Sequence, residues 1–222
     1  MDASVELFVL HALRLRGPAT EVQVAERFDL DRTSVRSTLE GLFEAGLARQ
    51  YEGRLAGWML TAAGREIGEQ LLADELRQSG QQHRVDAAYQ QFLALNGELL
   101  SICTDWQVQL IDGEEVLNDH QDTLRDDAVL LRLERLQRQA EPLVAQLAAD
   151  LARFEGYSSR LGSAHERIRI GQTEWLAGPR IDSYHTVWFE LHEDLLATLG
   201  RRRSDERVEY DAAPDIPAEL EE

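Results

Sequence analysis

The chain has 222 residues and a net charge of −18 at pH 7, with 41 acids against 23 basic residues, every one of them arginine. That length admits one large domain or two small ones, each able to bury a core. No apolar run approaches the roughly 20 residues of a bilayer-spanning helix, the opening MDASVELFVLHALRLRG carries acids where a signal peptide is basic, and the single Cys103 excludes an internal disulfide, so a cytoplasmic protein without a membrane partner is expected.

The first segment, Ala3 to Arg16, repeats Val5, Phe8 or Val9, Ala12 and Leu13 at helical spacing and stops at Gly17-Pro18. Thr20 stands three residues before Gln23, a capping box, and Val22, Ala25 and Phe28 supply the apolar face of a short second helix. Asp29-Leu30 turns the chain, and Asp31 is placed to cap a third helix that Gly46 ends. Within it Val35, Leu39 and Leu42 point inward, leaving Arg32, Thr33, Ser34, Arg36, Ser37 and Glu40 outside. LARQY (47–51), a glycine-flanked loop with Arg54, and WMLT (58–61) form a two-stranded hairpin. Thr61 caps a further helix that runs out at SGQQ.

From about residue 85 the pattern turns to long helices without hairpin signals. Phe92, Leu95, Leu99, Ile102 and Trp106 share one stripe. After a polar loop, IDGEEVLNDHQD, Asp126 opens a second stripe: Val129, Leu133, Leu136, Ala140, Leu143, Leu147, Leu151 and Phe154, close to a heptad seam. Pro142 is expected to kink this helix or begin a new one. Helices over about 158–170 and 183–199 follow, and the acidic, proline-containing end over 201–222 reads as disordered. The expected fold is mainly α: a winged helix-turn-helix over 1–79 with a small β-hairpin wing, then an α-helical bundle over 80–200 for dimerisation or effector binding.

An α-helix fits the major groove with its amino-terminal residues facing base edges and phosphates. Here those residues are Arg32, Thr33, Ser34, Arg36 and Ser37, with Thr20 starting the preceding helix toward the backbone and Arg54 on the wing positioned for the minor groove. The whole-chain charge opposes DNA less than it suggests. Residues 1–79 hold nine arginines against thirteen acids, and residues 80–222 hold fourteen against twenty-eight, so most of the acidity lies outside the reading head.

With TEVQVAERFDLDRTSVRSTLEGLFEAGLARQ, the wing and LTAAGRE (60–66) in place, residues 1–79 resemble the winged helix of bacterial transcription regulators of the multiple-antibiotic-resistance (MarR) type. The resemblance implies double-stranded DNA as partner and a homodimer. No helix is expected before Ala3, where that family builds the amino-terminal half of its dimer interface, so dimerisation is expected to use the C-terminal helices. The segment IDSYHTVWFELHEDLLATLG resembles helical endings in actinobacterial regulators found beside phosphoenolpyruvate-utilising modules. That second resemblance implies an alternative: an interaction adaptor of such an enzyme system that does not bind DNA.

In the bundle, Trp106, Tyr184, His185 and Trp188 are large amphipathic side chains among Leu and Ala, candidates for a small-molecule effector pocket between helices. The aromatics filling the core is the competing reading. His185 and His192 lie seven apart, not at the i, i+4 spacing that chelates from one helix, with His120 as the obvious further partner, so no metal site is expected. Neither a nucleophile elbow nor a dinucleotide fingerprint occurs, and neither enzyme activity nor a cofactor is expected.

Overall fold

The computed structural model describes residues 3–53, 56–111 and 113–203, and among them forms eight α-helices and two small antiparallel hairpins. Helix α1 (Ala3–Arg16) ends where Gly17 enters the left-handed region at φ 71°, which suits a residue without Cβ. Helix α2 (Glu21–Arg27) starts from the capping box, in which the Gln23 amide donates to Thr20 Oγ1 and the Thr20 amide donates to Gln23 Oε1. Its buried face uses Val24 and Ala25, whereas Val22, placed on that face by spacing, is exposed. Seven residues give too few turns for the pattern to fix the face.

Helix α3 (Arg32–Glu44) is capped by Asp31 and buries Val35, Leu39 and Leu42 as their spacing requires. Strands β1 (Ala48–Tyr51) and β2 (Gly57–Leu60) pair with Ala48 opposite Leu60, and Ala19 adds a bridge to Trp58 through two backbone hydrogen bonds. Helix α4 (Ala62–Ser79) begins at Thr61 and passes so close to the hairpin that a Cβ on Gly64 would stand 1.9 Å from the Leu47 carbonyl oxygen. Glycine at that point of the LTAAGRE motif is a packing requirement.

Helix α5 (Gln82–Gln107) leads into a second hairpin, β3 (Val108–Ile111) and β4 (Glu114–Leu117). This corrects the expected polar loop. Each strand is only four residues, and the apolar positions Leu110, Ile111 and Leu117 are exposed, so no buried face stamped an alternation on the sequence. Helix α6 (Thr123–Asp150) starts at the Asp122 cap, one turn before the expected Asp126, and runs unbroken through Pro142. The stripe from Val129 to Phe154, whose last members Leu151 and Phe154 lie just past α6, is buried within this one chain, with α6 packed against α5 and α7 (Glu155–Arg169). Helix α8 (Tyr184–Leu199), capped by Ser183, closes the bundle. Residues 204–222, most of the expected disordered tail, lie outside the described residues.

Two apolar cores result. One gathers Val9, Leu10, Leu13, Val24, Val35, Leu39, Leu42 and Trp58, and the other joins α5, α6, α7 and α8. Helix α8 touches both groups, packing on α5 and α7 and also on α4 and α1, with Leu7, Leu72 and Ala197 forming a small bridge. A helix that is apolar nearly all round belongs in a centre, but this one carries Glu190, Asp194 and Thr198 at i, i+4 and i+8, a polar stripe that sequence reading passed over.

That stripe is met from the opposite side. Arg153, in a 3-10 turn between α6 and α7, donates to Asp194 and Thr198 and, through Nε, to Glu75 at 2.6 Å. Tyr157 donates its hydroxyl to Asp194 at 2.9 Å, and Arg160 grips both Glu190 oxygens at 2.8 Å. From the amino-terminal helices, Arg27 pairs with Glu190 and His11 Nε2 stands 2.9 Å from Asp194. Burial opposes charge on Asp194, but His11, Arg153 and Arg27 outweigh it and hold its pKa well below the usual carboxylate range. Burial dominates at His11 and lowers its pKa, Asp194 opposing only in part. The lowered pKa favours the neutral imidazole.

A neutral buried histidine sets the sign of an acid response. Between the ordinary histidine pKa and the lower folded one, the unfolded chain binds more protons than the native one, so stability is fully present above about pH 6.5 and falls as pH drops through the folded value. The limiting slope for one group is about 1.4 kcal/mol per pH unit. His11→Gln is expected to flatten the urea-unfolding free energy between about pH 6.5 and 5 relative to the parent. Parallel curves for the two proteins would show that His11 is not the responding group.

Candidate nucleic-acid interface

The outer face of α3 matches its sequence expectation: Arg32, Thr33, Ser34, Arg36, Ser37 and Glu40 are all exposed, while Val35, Thr38, Leu39 and Leu42 are buried. The cap fixes how this face begins. Asp31 accepts the Ser34 amide at 2.8 Å and its hydroxyl at 2.9 Å, and those bonds lower the Asp31 pKa. The Ser34 proton is thus engaged, leaving the hydroxyl oxygen as an acceptor.

The two arginines differ. Arg36 Nε donates to Glu21 Oε2 at 3.0 Å, a bond from α3 back to the first turn of α2. Arg32 pairs with no acid among the described residues. It lines a groove of about 430 Å³ together with Thr20, Glu21, Gln50, Tyr51 and Trp58, so the start of α2, the start of α3 and the hairpin share one concavity. Arg54 lies outside the described residues. Arg49 on β1 is exposed, a further cation on the hairpin that sequence reading did not single out. Its position was visible only once the register, Arg49 opposite Met59, was known. Glu21, Glu40, Glu44 and Glu52 surround the same surface and would repel phosphate. Phe43, 56 % exposed and edge-on to Trp58, and Tyr51, 44 % exposed, add apolar surface.

The four candidate effector residues are divided between two places. Tyr184, buried, donates its hydroxyl to Gln137 and stacks on Trp188, which stacks in turn on Phe92 at 4.7 Å and donates Nε1–H to Asn96. Burial raises the Tyr184 pKa and lowers that of half-buried His185. His185 and Trp188 border a cavity of about 190 Å³ with Phe189, His192 and Arg203. Trp106 instead meets His120 at 4.4 Å, where α5 passes into the second hairpin. His120 binds Asp126 through Nδ1 at 2.9 Å beside Trp106, apart from His185 and His192, which border the same cavity. Burial pushes the Cys103 thiol up to about 11, which leaves it protonated and unreactive at neutral pH.

No protein-family model matches the chain, and neither the curated proteins nor the solved structures compared with it give a significant match. Among the described residues no helix is long and apolar enough to cross a membrane.

Proposed function

We propose that the α1–α4 unit with its first hairpin is a winged helix-turn-helix of the MarR type, and that the chain is a DNA-binding transcriptional regulator. The observation that carries this reading is the exposed amino-terminal face of α3, where Arg32, Thr33, Arg36 and Ser37 offer donors for bases and phosphates. The hairpin and the Thr20-capped start of α2 flank it in one groove. Selection of chromosomal fragments by the purified chain at several salt concentrations tests it. A discrete fragment set, retained less as salt rises, is the expected result. No retained fragment even at low salt overturns it.

In that event the adaptor reading takes over, supported by the acids around α3 and by exposed Phe43 and Tyr51, which suit a protein surface better than DNA. The regulator reading also calls for a homodimer, because one winged helix reads only a few base pairs. The Val129–Phe154 stripe is occupied inside the chain, so the pairing surface is assigned to apolar side chains left outside, Leu110 and Leu117 on the second hairpin with Leu124 and Leu131 on α6. Sedimentation of the full chain as a monomer at micromolar concentration would exclude the dimer.

A further inference from the structure

Between the amino-terminal helices and the bundle lies a cavity of about 540 Å³, lined on one side by Phe8, Arg27 and Phe28 and on the other by Arg153, Gly156 and Arg160. Arg27 is 7 % exposed, and its guanidinium is held between two rings, 4.4 Å from the centroid of Phe28 and 4.5 Å from that of Tyr157. Its Nε is bonded to Glu190 and its Nη2 stands 3.9 Å from Asp194 Oδ2, an ion pair too long for a hydrogen bond, so Nη1 and Nη2 are both buried with no hydrogen-bond partner. Buried donors left unpaired are costly and rare, least expected on a charged group. The other two arginines of the cavity differ in this respect, being bonded to Glu75, Asp194 and Thr198 and to Asp182 and Glu190.

Two further features describe what would fit. Gly156 lies against Nη1: a Cβ there would stand in ordinary contact with that nitrogen, at 3.5 Å, and take up the room beside it. The rim carries exposed Glu26, Asp29 and Glu155, which disfavour a simple anion and favour a positive group at the mouth. Phe8 and Phe28, stacked at 5.1 Å, give an apolar wall.

We propose that this cleft binds a small zwitterion with an apolar side chain, an amino acid or short peptide, whose carboxylate meets Arg27 and whose ammonium faces the acidic rim. The ligand would touch Phe28 and Asp29, the turn that leads into α3, and any effect on DNA affinity rests on the regulator reading; the binding itself does not. Calorimetry on the full chain without DNA therefore tests the site alone. L-Phenylalanine and L-leucine are the zwitterionic probes, and phenylacetate and 2-phenylethylamine carry one charge each. At least one amino acid is expected to bind in the millimolar range or tighter, with the single-charge probes weaker by about tenfold or more, the worth of one charge-assisted hydrogen bond. Gly156→Ala, which makes only ordinary contacts and suits a helix, is expected to keep the parent's unfolding temperature and to lose the same factor in affinity. Absence of heat with both amino acids, equal affinity for either singly charged probe, or unchanged affinity in Gly156→Ala each overturns the proposal.

Discussion

Arg153→Met is expected to destabilise the protein by about 3–5 kcal/mol, read as a lower urea midpoint at unchanged slope. The reason is asymmetric. A buried ion pair contributes little net stability, because desolvating both charges offsets their attraction, but removing one partner strands the other. Asp194 is fully buried and receives Arg153, His11 and Tyr157, while the methionine chain offers volume and no donor. Glu75 and Thr198 lose the same partner. Adding Asp194→Asn to Arg153→Met removes the stranded charge and is expected to recover part of the loss, a non-additivity that neighbours in one network show. A loss under about 1 kcal/mol for Arg153→Met, the cost of an ordinary substitution, would mean that water replaces the guanidinium and that the network does not hold α8 to α1 and α4.

Arg32→Ala is expected to weaken binding to a selected DNA fragment by about 1–3 kcal/mol, some 5- to 150-fold, if the side chain makes a bidentate base contact. Arg36→Ala is expected to cost less. Arg36 must exchange its bond to Glu21 for one to DNA, and although an exposed ion pair is worth only about 0–1 kcal/mol, that amount is subtracted from what the DNA contact gives. The pair predicts an opposite effect from the other side. Glu21→Gln removes a charge that repels phosphate and releases Arg36, so affinity should rise by up to about 1 kcal/mol, most at low salt where screening is weak. Equilibrium titration of the three variants against the parent decides it. Equal losses on every sequence would make Arg32 a phosphate contact, and no change in Glu21→Gln would remove Arg36 from the interface.

The amino-terminal elements were legible in the sequence because their determinants are local. Thr20, Asp31 and Thr61 cap helices by bonds to residues three ahead, Gly17 and Gly46 end helices by adopting positive φ, and the inward face of α3 follows from period 3.6 over a helix of 13 residues. The outward residues of the candidate interface came with it. What the sequence alone could not supply was the pairing among them: Arg36 with Glu21, fifteen positions apart, depends on the angle between α2 and α3. The second hairpin was missed because four-residue strands with exposed apolar side chains leave no alternation to read.

The same limit governs α6. A heptad-like stripe looks the same whether its partner is α5 and α7 of one chain or a second copy, since burial depends on what arrives opposite, and only the tertiary structure places it inside. The polar stripe of α8 is the sharpest case. Glu190, Asp194 and Thr198 at intervals of four were visible as a periodicity, and Arg153 and His11 as isolated polar residues in apolar runs. Their meeting spans separations of up to 183 positions, from His11 to Asp194, and the chemistry of each changes at that meeting: burial lowers the histidine's pKa, the aspartate is held ionised, and Arg27 keeps two nitrogens without hydrogen bonds beside a cavity. Periodicity and caps determined which helices exist; long-range burial of charge decided how they are joined and where a ligand could be held.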